Sequence, residues 1–105
     1  MAVVELRAVA TVLRELVKSS WGTKLAAGRA VEVAATAARA GTLASEIAAG
    51  IAAHGVVSSH PTTKQPVYAY ETDGFGNAVH MDDANVPSLL SLPYLGYVLS
   101  TVYLY

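Results

Sequence analysis

Residues 2–18 constrain the fold more than any other stretch. At 100° per residue, Val3, Leu6, Val9, Ala10, Leu13, Leu16 and Val17 gather on one face of a helix. Val4, Ala8 and Val12 gather on a second, nearly opposite face, and Arg7, Thr11, Arg14 and Lys18 run between the two as a polar stripe. A helix that is apolar on two sides is packed on two sides. That is more than a helical hairpin needs, so a further covering partner is expected.

The composition points the same way. Charged residues make up 14% of the 105 and hydrophobic ones 53%, against about 25% charged in an average soluble domain. The length allows one small domain, and its surface expects cover from the rest of a larger protein or from a bilayer. The uncharged run 84–105 has the length of a membrane span. It is interrupted by Pro87, Pro93 and Gly96 and has no flanking Lys or Arg, so no membrane is expected. Glu5 and Arg7 do not fit the apolar core of a signal peptide. Without cysteine there are no disulfides and no thiolate metal sites, and no compartment is assigned.

Net charge is −1, which gives no electrostatic case for nucleic acid. The charge is unevenly spread. Residues 1–64 hold all seven Lys and Arg with Glu5, Glu15, Glu32 and Glu46, a balance of +3, while residues 65–105 hold Glu71, Asp73, Asp82 and Asp83 alone, a balance of −4. Solvated faces usually mix the two signs, so unpaired acids this close together suggest a polar site.

After residue 18, Ser19, Ser20 and Gly22 break the pattern, and Thr23 suits the N-cap of a following helix. Residues 24–53 are dominated by alanine, the strongest helix former. Gly41-Thr42 is expected to divide them into helices over 24–40 and 42–54, the second carrying Leu43, Ile47 and Ile51 and ending with Gly55 at C′. The expected class is mainly α, two or three helices with a short β-hairpin-like excursion over 66–86. Within that excursion residues 67–71 read as a strand, with Tyr68 and Tyr70 on one face. Residues 73–77 read as a turn in which Gly74 and Gly76 take positive φ, and residues 78–81 as a second extended segment. Pro87 is expected to open a short helix over 87–92 that Pro93 ends.

The chemistry concentrates in residues 68–97. His80, Asp82 and Asp83 beside Glu71 offer oxygen to a hard cation, but their spacing fits no EF-hand or zinc motif, so no metal is expected. Gly74-Phe75-Gly76-Asn77 lacks the third glycine and the Lys-Ser/Thr of a phosphate loop. Paired carboxylates raise glycoside hydrolysis, in which an inverting pair faces across roughly 6.5–9.5 Å. Asp82 and Asp83 are adjacent, and neighbours in extended chain point to opposite faces, so they are poor candidates for both members of such a pair. Each acid either accepts hydrogen bonds from sugar hydroxyls or caps the backbone near Pro87. Asn77 is a turn residue or a sugar ligand, and His80 a structural hydrogen-bonder or a site residue. Tyr68, Tyr70, Tyr94 and Tyr97 can stack on sugars or pack in a core.

The run YAYETDGFGN at 68–77, followed by MDDANVPSLLSLPYLGY at 81–97, resembles the signature of glycoside hydrolase family 125, whose members carry Y-A-(F/Y)-E-x-D-G-x-G-N and then M-D-D-x-N-(V/I)-P-S-L and P-Y-L-G-Y. The resemblance continues weakly through residues 2–17 and 47–51. It implies part of an (α/α)6 toroid and exo-hydrolysis of α-1,6-linked mannose with inversion, without metal or other cofactor. The family's general acid and general base have no matching position here, so the chain alone is expected to be inactive. Asp82, Asp83, Asn85, His80 and Asn77 are the expected substrate-binding residues. The expected partners are a mannose-containing oligosaccharide and the remainder of the parent barrel. The tail 99–105 departs from the family, with Tyr103 as a remnant of its Tyr, and both ends resemble cuts through a larger protein. The alternative is a non-catalytic helical binding or interaction module.

Overall fold

The computed structural model describes residues 1–98, so the expectations for the tail and Tyr103 lie outside the described residues. The chain falls into two compact units, Ala2–Ile47 and the residues from Ala48 onward with Met1.

The first unit holds helix α1, Ala2–Lys18, a 3-10 turn over Gly22–Lys24 and most of helix α2, Ala27–His54. Its buried residues are Val3 and Ala10 on α1, Gly22 in the 3-10 turn, and Ala37, Ala40 and Ala44 on α2. The last three recur at helical spacing and form a narrow seam of methyl groups. This seam is narrower than the apolar face expected of α1. Val9 and Leu16 stay exposed, as does Val12 of the second face, because an alanine partner covers little width.

The connection between the helices depends on a glycine. Ser19 donates its N–H to the Glu15 carbonyl at 2.9 Å, and Gly22 donates to the Ser19 carbonyl at 3.0 Å. A Cβ on Gly22 would lie 2.0 Å from the Val17 carbonyl oxygen, so no larger residue fits this turn. Thr23 is not the cap of α2. It sits in the 3-10 turn with its hydroxyl donating to the Ser20 carbonyl, and the first helical bonds, from Arg29 and Ala30, go to the carbonyl of Ala26.

The break expected at Gly41-Thr42 is absent, for α2 runs unbroken over 28 residues. One interior glycine costs about 1 kcal/mol, which the surrounding alanines outweigh. At the far end Gly55 donates to the Ile51 carbonyl at 2.7 Å without positive φ. Its role is close approach, not the left-handed cap expected, since a Cβ there would meet that oxygen at 2.9 Å.

The second unit contains two antiparallel ribbons. β1 (Val56–Val57) pairs with β2 (Val67–Tyr68), with Val56 opposite Tyr68, and β3 (Glu71–Thr72) pairs with β4 (Ala78–Val79), with Glu71 opposite Val79. The strand expected over 67–71 is therefore shared between two partners. It switches at Ala69 and Tyr70, whose N–H groups bond to the carbonyls of Gly55 and Val79. In the β3–β4 turn the Asp73 carboxylate accepts the N–H groups of Phe75 and Asn77 at 2.7 and 3.1 Å and the Asn77 side-chain amide. Gly74 and Gly76 have φ of 76° and 102°, as the turn chemistry requires.

The short helix expected over 87–92 does not form, and Val86–Pro87 is a cis peptide. Residues 88–97 are successive turns instead, with bonds such as Leu92 N–H to the Leu89 carbonyl and Leu95 N–H to the Ser91 carbonyl. Side chains have taken over the amides a helix would leave free. Asp82 holds those of Leu89 and Leu90, and Ser91 Oγ holds that of Ser88. No helix among the described residues is long and apolar enough to cross a membrane.

Candidate functional site

Leaving β4, the chain runs extended through His80 and Met81 into Asp82 and Asp83, which bond in different directions as adjacent extended residues do. Asp82 Oδ1 accepts the N–H groups of Asp83 at 2.9 Å and Leu89 at 2.7 Å, and Oδ2 accepts that of Leu90 at 3.0 Å. Burial works to raise the Asp82 pKa, but these three backbone bonds outweigh it and hold the group below the usual carboxylate range. Asp83 bonds along the chain and back to the ribbons. Its Oδ1 accepts from the backbone and side-chain amides of Asn85, both at 3.0 Å, and its Oδ2 faces the Tyr70 hydroxyl at 3.5 Å. The Asp83 charge is the largest of the influences that push the Tyr70 phenol upward.

A carboxylate offers about four lone-pair directions. Asp82 fills three with backbone amides, and Asp83 fills two firmly and one with the long Tyr70 contact. Each keeps acceptor capacity, and each is anchored.

Beside Asp82 lies a cleft of about 300 Å³, walled by His60, Tyr68, His80, Met81, Asp82 and Leu89. The His60 and His80 rings meet edge to face at 5.3 Å. His60 Nδ1 accepts the N–H groups of Thr62 and Thr63, which fixes that ring in its turn. Tyr68 stands edge-on to Tyr97, with centroids 6.2 Å apart. His80 and Asp82 therefore share one cleft, with Asp83 and Asn85 bonded to each other next in the chain. Asn77 is apart, in the β3–β4 turn, where it borders another cavity of about 290 Å³ with His54 and Thr72.

Sequence reasoning passed over two contributors. His60 lies in a turn ahead of β2, and nothing in its spacing links it to His80, twenty positions away. Tyr70 had been placed beside Tyr68 as a stacking or core residue, whereas its hydroxyl faces Asp83, thirteen residues on. Among the described residues no group of three or more His, Cys, Asp or Glu is placed to hold a metal ion.

Comparison with known proteins gives this loop a context. All of residues 1–105 match the family described as metal-independent alpha-mannosidase, GH125. The Meiotically up-regulated gene 157 protein of Schizosaccharomyces pombe is 62% identical over 55 residues, which is 52% of this chain and 10% of that protein. A solved metal-independent α-mannosidase from Streptococcus pneumoniae, in a non-productive complex with α-1,6-mannobiose, superimposes with a TM-score of 0.68 at 39% identity. The match covers 92% of this chain and 20% of that one. The fold of that enzyme is an (α/α)6 toroid, and the present mainly helical chain corresponds to one part of it. The chain thus spans between a tenth and a fifth of the proteins it matches. With the family model matching over residues 1–105 and a solved member superimposing on 92% of the chain, this protein belongs to glycoside hydrolase family 125.

Proposed function

We propose that this chain contributes a sugar-binding wall to an exo-acting, inverting α-1,6-mannosidase of mannans or N-glycans, and that alone it binds mannosides without hydrolysing them. The anchoring of Asp82 and Asp83 carries this reading. Sugar hydroxyls are donors, and fixed acceptors select their orientation at little entropic cost. Asp82 and Asp83 supply such acceptors side by side, with Asn85 fixed against Asp83 and His80 at the cleft. Asn77 is assigned the same class of role one turn away.

The same geometry argues against catalysis by these two acids. A general acid has to be protonated at working pH, which means a raised pKa, whereas backbone amides lower that of Asp82. An inverting pair faces across a sugar, whereas Asp82 bonds toward Leu89 and Leu90 and Asp83 toward Tyr70 and Asn85. Proton donation and water activation then belong to carboxylates elsewhere in an enzyme of this family.

Titration of the isotope-labelled 105-residue chain with α-1,6-mannobiose, followed by amide NMR, tests both halves. The expected result is saturable shifts centred on residues 80–85, with no mannose released on prolonged incubation. Absence of shifts in that loop would remove the sugar-wall assignment. Steady release of mannose would remove the claim of inactivity.

A further inference from the structure

In the unit Ala2–Ile47, the seam between α1 and α2 opens into a groove of about 750 Å³, remote in sequence from the carbohydrate loop. Arg7, Thr11 and Arg14 line it from α1, and Gly41, Thr42 and Ser45 from α2. Seven residues of helix separate the two arginines, which puts them on one face about 10 Å apart along the axis. Arg14 reaches across to the other helix. A Cβ on Gly41 would meet Arg14 Nη2 at 2.8 Å, so the guanidinium lies over bare helix backbone in space that any other residue would fill.

Neither arginine has an anionic partner among the described residues, where the ion pairs are Lys18–Glu15 and Arg29–Glu32. The hydroxyls divide by role. Thr11 donates to the Arg7 carbonyl at 2.9 Å and Ser45 to the Gly41 carbonyl at 3.0 Å, so both proton donors are spent. Thr42 has no such bond among the described residues and keeps its donor. A planar fork of N–H donors lining the same groove as a free hydroxyl is an arrangement that receives a carboxylate or phosphate oxygen pair. Small residues at Ala10, Ala38 and Gly41 leave the room for it.

We propose that this groove binds an oxyanion, a phosphate or carboxylate group, on the Arg14 guanidinium and the Thr42 hydroxyl, with Arg7 extending the site. The group comes either from a small solute or from an acidic side chain of a second copy of this chain. Inorganic phosphate is the probe, titrated into the labelled 105-residue chain at constant ionic strength set with chloride. Saturable binding is expected, with shifts at Gly41, Thr42, Ser45 and the Arg14 side chain, at least tenfold weaker in Arg14→Gln. It is expected to be similarly weaker in Gly41→Ala, whose helicity by circular dichroism stays at or above the parent's. A monomer throughout in sedimentation identifies a free solute as the natural occupant. A dimer that phosphate dissociates identifies a carboxylate of the second copy, with the same oxyanion chemistry. Shifts that never saturate, or binding that neither substitution weakens, would overturn the proposal.

Discussion

Three backbone N–H groups, those of Asp83, Leu89 and Leu90, converge on the Asp82 carboxylate, so this side chain shapes the loop that presents it. Replacing it with alanine leaves three donors without their acceptor. Bonds to a charged acceptor contribute about 1.5–3 kcal/mol when buried. The half-exposed position reduces that, and Asp82→Ala is expected to lose about 1–2 kcal/mol in urea denaturation. Asp82→Asn keeps one oxygen for Asp83 and Leu89 and is expected to lose less. The pH dependence follows from the direction of the shift. The Asp82 and Asp73 carboxyls are both held below their ordinary values, Asp73 chiefly by the Asn77 side chain and then by the Phe75 amide. Their contribution is therefore complete above the unfolded value of about 3.9 and drains away as pH falls through the lower folded values. Melts taken from neutral pH to about pH 2 should show the parent losing more stability below about pH 4 than Asp82→Asn does. Equal losses would mean that Asp82 is not the group being protonated. Chain alternation alone foretold that Asp82 and Asp83 would diverge. Their partners were not legible, because Leu89 and Tyr70 lie seven and thirteen positions away and meet the acids only after the turns have folded.

At the scale of elements, the glycines separate what propensity decides from what space decides. Gly22 occupies a turn where a Cβ would lie 2.0 Å from one carbonyl oxygen of α1 and 2.8 Å from another, both of them backbone. Backbone cannot rotate away as a side chain can, so Gly22→Ala is expected to cost about 2–3 kcal/mol, at the upper end for overpacked sites. Gly50 lies inside α2 with nothing within 4 Å of its would-be Cβ. There the helix only gains from alanine, and Gly50→Ala is expected to add about 1 kcal/mol. Thermal melts of the two variants should move in opposite directions. A shift of the same sign in both would mean that the inter-helix turn does not have this geometry. The same distinction shows why the helices were readable and their ends less so. Alanine content and spacing located α1 and α2, but a propensity argument broke α2 at Gly41, where tertiary space for Arg14 is the reason for the glycine. The strand over 67–71 was recognisable by its alternation, while its division between β1 and β4 depends on Gly55 and Val79, which no local pattern reveals.

For the whole molecule, the distribution of buried side chains sets where the chain opens first. Among the described residues the buried hydrophobic ones are Val3, Ala10, Ala37, Ala40 and Ala44, all in the unit Ala2–Ile47. Only one of them is larger than alanine, and a buried methylene contributes roughly 0.8 kcal/mol. From Ala48 onward no described residue is fully buried, and the two ribbons each pair two residues with two. Two-stranded ribbons of that length are marginal by themselves. Phe75 is 93% exposed and Tyr94 87%, apolar surface of the kind a covering partner removes from water. The two-sided helix read from the sequence implied such cover, and the chain superimposes on one fifth of a solved family member. Native-state hydrogen exchange checks the consequence directly. Amides of β1, β2 and β4 should open with protection at least tenfold lower than those of Ala37, Ala40 and Ala44, because local opening costs what the locally buried contacts supply. Equal protection in both sets would mean that the ribbons draw stability from contacts other than their own short pairings.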